Sequence, residues 1–158
     1  MKAAIFEFLY AITVFYIPVR LVQNWLSKKI SPPDRNKEFY LVIAGAAVGS
    51  GIIISWISGS VHTGLSEVSR SGGFSELIQF TGIYIALFLT AVFLNQVIAG
   101  FVFHSVTKEK LVDAVKNSDT GKVIFWLGLL WSCGLISGGF VNKIAEYIIP
   151  YPVAPFPV

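Results

Sequence analysis

Glu7, Asn95 and Gln96 are the side chains best placed to do chemistry inside a membrane, because each interrupts a long apolar run. A carboxylate in hydrocarbon can carry a proton or hold a cation, and amides can line a polar path or bridge helices. Glu7 stands close to the outer start of its run, where the ~2.5–3.5 kcal/mol cost of an intramembrane charge falls steeply. An interfacial, solvated Glu7 is one reading and a proton or ion site the other. Asn95 and Gln96 lie deeper, with Gln79 and Thr90 on the same run, and bridging worth about 0.6 kcal/mol stands beside the pathway reading. His62 and His104 fall at opposite membrane boundaries and neither has a ligand spacing, so no shared metal is expected. On the expected topology no serine or threonine has a paired histidine and carboxylate in reach, and the sequence has no phosphate-cradling glycine loop before a Lys-Ser/Thr pair and no basic stripe for nucleic acid. The expectation is a chain that is not an enzyme, takes no cofactor or metal, and binds no nucleic acid.

The elements that position these residues are four apolar stretches, approximately 3–26, 39–57, 77–103 and 123–149. A hydrocarbon core of ~30 Å takes about 20 helical residues to cross, so an all-α polytopic membrane protein with four transmembrane helices is expected. Hydrophobic residues are 54% of the chain and charged residues only 13%, against ~25% in soluble domains. Mean hydropathy is +0.70. With 158 residues, no room remains for a separate globular domain, so residues 1–149 read as one transmembrane domain followed by a Pro-rich tail, 150–158. Glu7 and the length of the first run argue for a retained helix and against a cleaved signal. Cys133 is the single cysteine, which excludes a disulfide framework.

Basic residues set the expected orientation. Nine of the twelve, Arg20, Lys28, Lys29, Arg35, Lys37, Lys108, Lys110, Lys116 and Lys122, cluster at one face, against Lys2, Arg70 and Lys143 at the other. The positive-inside rule then puts the loops 27–38 and 104–122 in the cytoplasm and both termini outside it.

Helix, basic loop, helix occurs twice, giving two parallel hairpin repeats, about 3–57 and 77–149. A constant shift pairs Asn36 with Asp119, Gly45 with Gly128, Gly49 with Ser132 and Gly51 with Gly134. Small residues let helix backbones approach in lipid, so Gly45, Gly49, Gly51, Gly128, Ser132, Gly134 and Gly138 are the expected packing positions, within one chain or between chains. The segment 58–76, rich in Gly and Ser, reads as an exposed linker between hairpins. Leu111, Val112 and Val115 predict a short amphipathic helix in the second basic loop, whereas Pro32 and Pro33 break the first. In the tail, Pro150, Tyr151, Pro152, Pro155, Phe156 and Pro157 favour an extended apolar path that docks on a partner or lies on lipid.

In the second stretch, Asn36, Gly45, Gly49, Ile52 and Ser55 resemble the second-helix pattern of the bacterial membrane family called domain of unknown function 350. In the fourth, Asp119, Thr120, Phe125, Ser132, Gly134 and Gly138 are similar to that family's fourth-helix pattern, and the duplicated layout covers residues 5–140. The chain has Ile53 where the family often has proline, Lys37 and Glu38 where it has two alanines, and Ser137, Gly138 and Gly139 where it ends on Asn-Ala-Ala. These departures mark a diverged member. The resemblance implies a bacterial inner-membrane protein of undefined activity, with membrane-stress and envelope-maintenance partners in some cases.

Two functions follow as expectations. One is a non-catalytic scaffold or accessory subunit of a membrane complex, held among lipids and other membrane chains. The other is a small channel or transporter, which four helices form only as an oligomer.

Overall fold

The structure, a computed structural model, describes residues 2–71 and 73–148. The described residues form five α-helices: α1 (Lys2–Ser27), α2 (Lys37–Ser71), α3 (Phe74–Thr107), α4 (Leu111–Lys116) and α5 (Thr120–Ile148). All but α4 are long and apolar enough to cross a membrane, which makes the chain a multi-pass membrane protein. Pro18 sits inside α1 without ending it. It removes one backbone donor, a loss that helices in lipid tolerate when neighbours supply partners.

The helix ends follow from local chemistry. Asn36 Oδ1 accepts the Phe39 N–H at 3.0 Å and starts α2; Asp119 Oδ1 accepts the Lys122 N–H at 3.0 Å and starts α5. The two caps are related by the same shift that pairs the glycines, so the duplicated sequence pattern has a duplicated structural role. Glu76 reaches back to the Gly73 N–H at the start of α3. Lys108, left-handed at φ 60°, closes α3 with its N–H on the His104 carbonyl. Pro32–Asp34 make one 3₁₀ turn between α1 and α2.

α2 and α5 run parallel, because Thr120 bonds Glu38 near their starts and Ser60 bonds Asn142 near their ends. α3 runs against α5, with Asn95 beside Leu130 and Phe103 beside Phe125. α1 runs against α2, with Glu7 beside His62, and meets α3 where Phe6 touches Phe74 edge-on at 5.6 Å. The core divides in two along the bundle. Tyr84, Phe88, Ile53 and Leu65 centre one half; Phe39, Phe103, Trp126 and Leu130 centre the half nearest α4. α4 is the short helix expected from Leu111, Val112 and Val115, and it buries Ala114 and Val115 under the bundle.

Residues 58–76 differ from the expected open linker. α2 continues to Ser71 and α3 already begins at Phe74, so the hairpin turn is much shorter. Ile57, Val61, Leu65 and Val68 explain this: they recur at helical spacing and are all buried, so a polar segment still carries one apolar stripe. At 1.5 Å per residue α2 is about 52 Å long. The tail residues Pro150, Tyr151, Pro152, Pro155, Phe156 and Pro157 lie outside the described residues.

Candidate functional site

The closest seam in the molecule joins α2 to α5. Gly45 lies against Leu127, Gly49 against Leu130, and Gly138 against Trp56, where a methyl group would come within 2.5 Å of the indole. Gly134 stands beside the Gly49 carbonyl and the Asn95 amide. The Trp131 indole N–H donates to the Gly45 carbonyl at 3.2 Å, an approach left open by the missing side chain. Gly51, Gly128 and Ser132 are not part of the seam: a methyl at Gly51 or Gly128 would meet nothing within 4 Å, and Ser132 is exposed. The reason is geometric. Gly51 follows Gly45 by six residues, as Gly134 follows Gly128 and Gly138 follows Ser132. At 100° per residue each such pair lies about 120° apart and cannot share a narrow face.

Asn95 is 2% exposed and donates through Nδ2 to the Leu130 carbonyl at 3.1 Å, linking α3 to α5; its Oδ1 has no partner. Its neighbour Gln96 points elsewhere and lines a cavity between α1, α3 and α4. The two amides therefore do not share one path. Glu7 pairs with His62 Nδ1 at 3.0 Å, with the histidine side chain mostly exposed. That contact ties α1 to α2 at the end of the bundle away from α4. His104 belongs to the other end, with Nδ1 3.1 Å from the Glu109 carbonyl. Among the described residues no three His, Cys, Asp or Glu side chains are grouped to hold a metal ion.

The α4 end holds the densest polar network. Asn36 Nδ2 donates to the Val115 carbonyl at 2.6 Å and to Ser118 Oγ at 2.9 Å, while its Oδ1 caps α2. Glu38 is fully buried, and Thr120 Oγ1 donates to its Oε1 at 2.6 Å; its Oε2 has no hydrogen-bond partner. Lys122 Nζ bridges Glu109 at 2.9 Å and Asp119 at 3.1 Å. The Lys122 amide, and then its ammonium, hold the Asp119 carboxyl below the usual carboxylate range. Ser118 is not singled out by the sequence, and Glu38 and Thr120 enter only through the family resemblance, Thr120 as a match and Glu38 as a departure. Their signal is positional: each lies within two residues of a cap, Asn36 or Asp119, that opens an apolar run.

The cavity has a volume of about 1110 Å³. Pro18, Leu21 and Trp25 of α1 face Phe93, Val97 and Gly100 of α3 across it, and α4 with the residues before it closes the polar end. Comparison with protein-family models, with curated proteins and with solved structures found no match to this chain.

Proposed function

We propose that the chain is a non-catalytic membrane scaffold or accessory subunit that binds other membrane chains through the outer faces of its helices. The pairing of its polar groups within the chain carries this reading: Asn95 bonds Leu130, Trp131 bonds Gly45 and Glu7 pairs with His62. What faces outward on α3 and α5 is bulky and apolar, with Phe101 71%, Ile136 78% and Phe140 70% exposed. Such faces give van der Waals contact to a neighbouring helix, the main source of association in lipid. A channel would need Asn95 at an opening, and Asn95 is buried between α3 and α5. The resemblance to domain of unknown function 350 supports a bacterial inner membrane and envelope-maintenance partners. The excess of basic residues supports placing the α4 end in the cytoplasm and both termini outside. The test is gentle detergent extraction from native membranes followed by native mass spectrometry. Unlike chains in fixed stoichiometry are expected. A bare homo-oligomer whose ion flux is lost on Asn95→Leu or Gln96→Leu would replace this reading with a channel.

A further inference from the structure

We propose that the cavity between α1, α3 and α4 binds one anionic phospholipid, with an acyl chain along the α1 and α3 walls and the headgroup against the lysines beside α4. The volume of about 1110 Å³ lies just above the ~300–1,000 Å³ usual for small-molecule sites. Its walls change in character along their length. Toward the middle of the bundle they are Leu21, Val22, Phe93 and Val97; at the α4 end come Lys29, Lys110 and Lys116. This gradient matches a molecule with an apolar chain and a charged head. Trp25 lies between the two zones and is half exposed, the position that indole rings take at headgroup level.

Charge selects the occupant. Three lysines line this end of the cavity (Lys29, Lys110 and Lys116) with two carboxylates, Glu109 and Asp113. Glu109 and Asp119 already share Lys122. Lys29, Lys110 and Lys116 are exposed and make no ion pair among the described residues. One cation is left over, which suits the single negative charge of a phosphodiester. A zwitterionic lipid would leave that cation unmatched, and a partner helix filling the groove would bury it without a counter-charge. Gly100 completes the shape: it lines the cavity, and a methyl there meets nothing within 4 Å, so the α3 backbone itself forms the floor.

The proposal does not depend on the accessory-subunit reading. The experiment takes the full chain in detergent and offers equimolar phosphatidylglycerol and phosphatidylcholine, reading retained lipid by native mass spectrometry. One retained lipid per chain is expected, with phosphatidylglycerol preferred at least about tenfold. Replacing all three lysines, Lys29→Gln with Lys110→Gln and Lys116→Gln, should bring the preference near unity, since each basic group near anionic lipid is worth about fivefold. These exposed lysines leave the packed seam alone, so the melting temperature should hold and report an intact fold. Gly100→Leu should reduce retention of both lipids by filling the groove. Equal retention of the two lipids by the unmodified chain overturns the proposal, as does a preference that survives loss of the lysines. So does cross-linking of a Val97→Cys chain to another protein in native membranes, which would show the groove covered by protein.

Discussion

The α2–α5 seam and the α1–α3 face solve the same problem in opposite ways. Along the seam, Gly45, Gly49, Gly134 and Gly138 let the backbones approach, and polar bonds fasten it at Glu38, Gly45 and Ser60. α1 contains no glycine, and its buried residues are Tyr10, Val14, Pro18 and Leu26. Near α4 the cavity lies between α1 and α3, with Leu21 and Trp25 on one wall and Phe93 and Val97 on the other. In lipid, where apolar burial does not separate protein from solvent, small residues decide which helices lock together and which leave room for something else.

The seam is most vulnerable at its glycines. Gly138→Leu drives a side chain into Trp56 and should destabilise the bundle by about 1–3 kcal/mol, read as a lowered melting temperature in detergent. Gly128→Ala, on open ground, should stay within about 0.5 kcal/mol of the parent. If both variants melt alike, the seam is not what holds the molecule together. Asn36→Ala comes next, at about 1–2 kcal/mol, because it removes the α2 cap together with the bonds to Val115 and Ser118.

Its counterpart Asp119 makes the α5 cap sensitive to pH. Its carboxyl is depressed in the fold, so its contribution is complete above the ordinary aspartate value and is lost as pH falls through the lowered one. Asp119→Asn should therefore flatten the acid limb of a stability profile in soluble micelles. An unchanged limb would mean that Lys122 does not hold the group. Asn95→Leu should cost only about 0.6 kcal/mol, because one bond to Leu130 is lost while an unpartnered Oδ1 is removed with it. Glu7→Gln is the smallest change, below about 0.5 kcal/mol, since its partner His62 is largely exposed. A larger loss would show that α1 depends on that pair.

Much of the helical layout was legible from hydropathy, because three of the four apolar runs end within a few residues of α1, α3 and α5. The end of α2 was not. Hydropathy averages over all sides of a helix, and the polar residues between Ile57 and Val68 mask a stripe that only spacing reveals. The glycines were legible as a class, but their phase was not: Gly134 and Gly138 face α2 while Gly128 does not. Glu38 and the cavity were beyond reach for a different reason. Each depends on which helix lies opposite, and neither the Thr120–Glu38 bond nor the facing of α1 by Gly100 is written in local sequence.

The length of α2 has a mechanical meaning. The fourteen residues after Ile57, Ser58 to Ser71, carry the helix on by about 20 Å, braced by α3 through Tyr84 against Gly64. The turn between α2 and α3 is thus the tip of a stiff mast. That tip is apolar on its α3 side, where Phe74 and Ile78 are exposed, so it suits lipid or another membrane chain better than water.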